Sequence, residues 1–294
     1  MQRHLVGAQG KLTLVVGEFV PAINTTYTNM HFSGGFRLNG RVGVKLINCR
    51  VTGSPPPIGN AGYTVKGNSP GGSLDMERCT VITLANNTKG VVFNDTSTIR
   101  MVQCLILGGA DAVSINPHNT NPALLFEGYS AVIRECFIGD LMDPDADPHS
   151  DAFQCDEGEG GILLERNRIE AFNIPPGTNP TNASANPASA EGGNAAIILT
   201  QDSGSPGQIG TVDVIDNYCD GGNYAVNTGP DDGLPPAGGQ ISGNRFGLRF
   251  NFGALVYGPN DTVEAGSNQW AWSGLAGLND PEPVVVNTPV CPTC

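Results

Sequence analysis

The chain has 294 residues, with 15 Lys and Arg against 28 Asp and Glu, for a formal net charge of −13. That balance excludes nucleic-acid phosphate as a partner, which needs clustered Lys and Arg. Gly 40 and Pro 22 make up about a fifth of the chain and exclude long helices, while 39% hydrophobic residues at low charge density exclude a disordered chain.

Met1–Lys11 lacks the basic-then-apolar order of a secretory signal. No run of about 18 apolar residues follows anywhere, so no membrane span is expected. LTLVVGEFV (Leu12–Val20) reads as an opening strand. A repeat then begins: VKLINCRV (Val44–Val51), LDMERCTV (Leu74–Val81), IRMVQCLI (Ile99–Ile106) and AVIRECFI (Ala131–Ile138). LLERNRI (Leu163–Ile169), VDVIDNY (Val212–Tyr218) and GQISGNRF (Gly239–Phe246) continue it. Each is an alternating strand followed by Cys or Asn at one recurrent position: Asn29, Cys49, Cys79, Cys104, Cys136, Asn167, Asn217, Asn244 and Asn268. Spacings of 20 to 50 residues fit the circuit of a solenoid of short strands, with the excess in loops. Asn at such a corner tolerates the left-handed conformation and bonds its stacked neighbours, and Cys is small and tolerates burial. The column therefore predicts reduced, stacked cysteines rather than disulfides; the terminal Cys291 and Cys294 stand apart from it.

A second strand series follows each corner: GVVFND (Gly90–Asp95), AVSIN (Ala112–Asn116), AFQCD (Ala152–Asp156), AAIILTQD (Ala195–Asp202), YAVNTG (Tyr224–Gly229) and ALVYG (Ala254–Gly258). With a weaker third series these make a triangular coil. The predicted organisation is one all-β domain over 1–280, a right-handed parallel β-helix with a loop insertion at 174–194. An end cap around Trp270 and Trp272 and an extended tail at 281–294 complete it. This pattern over Leu12–Trp272 resembles the parallel β-helix, pectin-lyase-like superfamily, which includes polysaccharide lyases, glycoside hydrolases, epimerases and phage tailspikes.

The densest chemistry lies in GDLMDPDADPHSDAFQCDEGEGG (Gly139–Gly161), an acidic stretch around His149. Cys136 lies 15 residues before Asp151, and Cys104 only 7 before the matching Asp111, so the stretch is also an insertion. If Phe153 and Cys155 face inward, Gln154 and Asp156 face outward, in one polar column with Ser114 and Asn116, Gln201 or Asp202, and Asn227. Such a column is a groove for a sugar chain. His149 is then the candidate acid or base, with Asp147 or Asp151 as its partner, and Tyr257 a candidate stacking surface. His118 lies one coil before His149 and is read as able to join it. Two other readings of the stretch stay open: a Ca²⁺ site at Asp143, Asp145 and Asp147, and a solvated acidic loop. No cofactor is otherwise required.

The triplet Asp147-Pro148-His149 resembles the D-P-H core of the alginate C5-epimerases, although Asp145 stands where that family places a Tyr nearby. His149–Gln154 is similar to the H-x-D-x-x-Q segment of β-helix proteins from bacteria and their phages. These resemblances imply a protein that binds, and in one version processes, a cell-surface or extracellular polysaccharide. As a minor tail or receptor-binding component it would sit in the virion tail, as a homotrimer or beside other tail proteins. The alternatives are a secreted lyase, C5-epimerase or hydrolase, and a purely structural coil. The net charge favours a neutral glycan or a carboxylate-bound cation over a polyanion.

Overall fold

Alternating apolar residues with turn formers between them fold here into three flat parallel sheets wound by one right-handed coil. The computed structural model describes residues 6–53, 62–67, 70–84, 88–142, 150–172, 193–200, 208–229, 235–247, 253–264 and 266–270. Among these, sheet A has ten strands, from Thr13–Val15 to Gln269–Trp270. Sheet B has eight, from Phe36–Arg37 to Gly253–Val256, and sheet C nine, from Thr26–Thr28 to Asp261–Val263. Each coil visits A, B and C in turn, as in Arg50–Thr52, Gly62–Gly67 and Ser73–Glu77. All the strand pairs within the sheets are parallel, so the expected β-helix is the observed fold.

Period-two alternation sends one side chain of each strand inward and the next outward. Leu46, Met76, Met101, Ile133, Leu164, Val214 and Ile241 thereby form one buried apolar column under sheet C. Each such side chain contributes about 1.5–3 kcal/mol by leaving water. The first coil is closed by an aromatic group in which Phe19, Tyr27, Phe32 and Phe36 meet at ring separations of 4.7 to 6.1 Å.

The corner between sheets C and A holds the Cys/Asn column. Asn217 Oδ1 accepts from the Asn167 backbone N–H (2.9 Å) and Nδ2 (3.0 Å), and Asn217 Nδ2 donates to Leu164 O (2.9 Å). Asn244 and Asn268 repeat the pattern. In the earlier coils the thiols of Cys49, Cys79, Cys104 and Cys136 donate to the equivalent carbonyl of the preceding coil, that of Tyr27, Leu46, Met76 and Met101 in turn, at 3.4 to 3.6 Å. Thiol and amide thus perform the same bond, and these cysteines are free and buried.

Two details of the column differ from the sequence reading. The left-handed residue is the one before the Cys or Asn: Asn48, Arg78, Gln103, Glu135, Arg166 and Asp216 all have φ between 51° and 56°. Asn29 (φ 56°) belongs with Asn48, to which it is bonded at 2.6 Å, so Met30 rather than Asn29 opens the column.

A strap, Val6–Gln9, crosses the outside of sheet A. Gly7 N donates to Gln103 O, Ala8 N to Thr80 Oγ1, and Gln9 N to Asn48 Oδ1. Val6 covers Leu107 and Phe137. Gly7 is required at φ 89°, because a Cβ there would stand 2.5 Å from Thr80 Oγ1 and 2.8 Å from Leu105 Cβ.

Candidate functional site on the outer face of sheet B

Three neighbouring strands of sheet B build the site: Thr88–Asp95, Val113–Pro117 and Asp151–Cys155. Their register aligns Val92 with Ser114 and Gln154, and Asn94 with Asn116. Val113, Phe153, Ile115 and Cys155 are buried inward, which turns Ser114, Gln154 and Asn116 outward. Asp156 continues the outer row, its N–H donating to Asn116 Oδ1 at 3.1 Å. Asp111 and Asp151 stand at matching positions, and Asp151 N–H donates to Asp111 Oδ1 at 3.2 Å.

The residue that organises this face is Lys89, which the sequence reading did not place in the site. Its ammonium lies 2.6 Å from Asp111 Oδ2, 3.2 Å from Gln154 Oε1 and 3.4 Å from Ser114 Oγ, so it spans three coils. Burial works against the charge on Lys89. The charge and hydrogen bond of Asp111, with the charges of Asp156 and Asp151, outweigh that effect and hold it above an ordinary lysine.

Asp151 is 1% exposed, and its Oδ1 has no hydrogen-bond partner among the described residues. Burial, then the neighbouring charge of Asp111, push its carboxyl well above the usual range, against the opposing Ala195 N–H and Lys89. A carboxyl of this kind keeps its proton at pH values where ordinary Asp has lost it. Lys89, Gln154, Asn116 and Asp156 are half-buried and form the outer surface of this face. Asp151 sits beneath them and touches Asp111 through its own backbone N–H.

Of the residues proposed from sequence, Asp151, Gln154, Asp156 and Asn116 are brought together. Asp143, Asp145, Asp147, His149, Gln201 and Asp202 lie outside the described residues, as do Cys291, Cys294 and Trp272. The column does not run on as a polar row: Ile198 stands between Gln154 and Asn227. Tyr257 is three coils beyond Gln154 and packs against the apolar core. His118 is at the far end of its sheet B strand from Asp111, 3.9 Å from Glu157. Arg134 and Arg166 both pair with Glu165 beside sheet C and do not approach this face.

No family model matches the chain, and no curated protein matches it significantly. Among solved structures, the chain is similar to the Dettilon tailspike protein (gp208), at 10% identity and a TM-score of 0.34. The alignment covers 88% of this chain and 64% of that one, so the chain spans just under two thirds of that protein's length.

Proposed function

We propose that this protein binds a cell-surface or extracellular polysaccharide across the outer face of sheet B, as a component of a phage tail. The observation that carries the reading is the Lys89–Asp111–Ser114–Gln154 network, which holds donors and acceptors at fixed spacing over three stacked coils. Sugar hydroxyls need such paired donors and acceptors. Stacked coils about 4.8 Å apart repeat them along a line, as a linear glycan requires. The similarity of His149–Gln154 to the H-x-D-x-x-Q segment of phage and bacterial β-helix proteins supports the setting.

The test compares native protein with Gln154→Ala and Lys89→Gln for co-sedimentation with intact bacterial cells and with their purified surface polysaccharide. At least a tenfold loss of binding by Gln154→Ala, with its melting temperature unchanged, is the expected result. Equal binding by native protein and both variants overturns the site.

A processing activity is the second reading, favoured by the raised Asp151 carboxyl beside the Lys89-paired Asp111, an environment that separates acid from base. New reducing ends released by native protein, and lost in both His149→Ala and Asp151→Asn, would support it; binding without product supports the adhesin. Lys89 supplies among these carboxylates the positive charge that a Ca²⁺ would bring, so the proposal invokes no metal at this face. Binding abolished by EDTA and restored by Ca²⁺ would instead assign the work to Asp143, Asp145 and Asp147.

A further inference from the structure

The first coil ends the solenoid with three open strand edges. Among the described residues, Thr13–Val15, the Phe19 bridge and Thr26–Thr28 are outermost in sheets A, B and C, each paired on one side only. Their backbone leaves a regular set of groups unused. Thr13 N–H donates to Asn29 O, and Val15 O accepts from Ser33 N–H. The amide and carbonyl of Leu14 between them therefore point away from the coil. In sheet C, Thr25 O accepts from Lys45 N–H and Asn29 N–H donates to Ile47 O, which turns the backbone groups of Thr26 and Thr28 to the free edge.

The surface around this edge is apolar. Leu14 is 58% exposed, Val16 80%, Val20 42% and Ile23 55%, and elsewhere among the described residues only Val42 and Leu84 are large exposed hydrophobic side chains. Phe19 and Tyr27, half-buried, close the coil from within. Glu18 is the one charged side chain from Leu12 to Thr28, and it pairs with Arg37. Free edges are ordinarily guarded by Lys, Pro or a bulge; Thr-Leu-Val and Thr-Tyr-Thr carry none of these. The described chain does not cover this end. The strap Val6–Gln9 passes along the outside of sheet A, and Trp270 lies in the outermost strand at the opposite end.

We propose that this end is an interface with a second copy of the chain, the two meeting first coil to first coil about a two-fold axis. Three edges set at the sides of a triangle have to be met together, and a second copy brings the same triangle. A two-fold axis through Leu14, perpendicular to the solenoid, lays Thr13–Val15 antiparallel to its own counterpart. The two Leu14 residues then exchange a pair of backbone hydrogen bonds, one of the two pairings an antiparallel ladder uses. The same rotation sets Thr26–Thr28 beside the sheet B edge of the partner. It also preserves the rise of the coil, so the gap between the two ends stays even around the triangle. Such a contact uses one surface twice and closes at two copies. Charge points the same way: every acid except Glu18 lies at or beyond Asp75. Head-to-head copies of net charge −13 each thus keep their acidic regions apart.

The test is sedimentation velocity of the full chain across a concentration series, at low and high salt. A dimer with a dissociation constant on the order of 10 μM is expected, and it should persist at high salt because its contact is apolar. Leu14→Lys and Val16→Lys should each weaken it at least tenfold while keeping the native circular dichroism. Leu84→Lys, at an exposed apolar side chain away from the first coil, should leave it unchanged. Leu14→Cys, in a chain that also carries Cys291→Ser and Cys294→Ser, should be joined to its own counterpart by a short bis-maleimide. Monomer at every concentration overturns the proposal, as does a series growing past the dimer, which is what head-to-tail stacking produces. An oligomer unmoved by Leu14→Lys places the interface elsewhere and overturns it too. Failure of Leu14→Cys to cross-link within a dimer removes the two-fold axis from Leu14 and has the same consequence.

Discussion

Asp151 places an acid where water does not reach, and its proton has to follow. Its carboxyl is raised by burial and by Asp111, so between the ordinary Asp value of about 3.9 and the raised one the folded protein holds a proton that the unfolded chain has lost. Stability therefore falls as pH rises through that window, by up to about 1.4 kcal/mol per pH unit. Asp151→Asn removes the linkage. Its melting temperature relative to native protein should rise from pH 5 to pH 8, and a pH-independent difference would show that Asp151 titrates normally. Much of this cluster was legible in the sequence: counting from Cys104 and Cys136 aligned Asp111 with Asp151, and alternation turned Gln154 outward. Lys89 was not legible, because its role depends on a long side chain reaching across coils whose connecting loops differ in length. No fixed offset from a corner residue marks it.

At the scale of an element, the Cys/Asn column is a strip of hydrogen bonds perpendicular to the strands. Asn217 is its central amide: it satisfies two groups of Asn167 and the Leu164 carbonyl, and is itself held by Asn244. Asn217→Ala should destabilise the protein by about 3 kcal/mol, since it leaves several buried polar groups unpaired. Asn217→Cys should cost less, because a thiol makes the carbonyl bond elsewhere in the same column. Denaturant melts of the two variants check the order; equal losses would mean that the amide ladder contributes packing alone. The repeat itself announced this column, yet the neighbouring left-handed position stayed hidden. Glycine or asparagine advertises such a backbone, whereas Arg78, Gln103, Glu135 and Arg166 are held there by stacking that exists only once the coils are assembled.

Over the whole molecule, coils contact only their neighbours, and stability is a sum of similar interfaces. The six described cysteines, Cys49, Cys79, Cys104, Cys136, Cys155 and Cys219, are all buried in those interfaces and free. Burial raises the thiols of Cys79, Cys104, Cys155 and Cys219 above the usual cysteine range, which lowers their reactivity further. In native protein a thiol reagent should therefore label none of the six faster than the chain unfolds, while denaturant should release them together. Rapid native labelling of any of the six would contradict the packing. Strand order and triangular section followed from the periodic corner residues. Which outward residues meet did not, because loop length sets register between coils and composition does not report it.

The strap over sheet A gives this solenoid an unusual mechanical polarity. A pull on Val6 is delivered first to Gln103, Thr80 and Asn48, which belong to several different coils, so the force is shared in shear across them. The Thr13–Val15 strand, paired with Met30–Phe32 alone in its sheet, would otherwise be the natural place for the coil to peel. Tension from that side reaches it only after the strap has torn free, so this edge strand is shielded from the load.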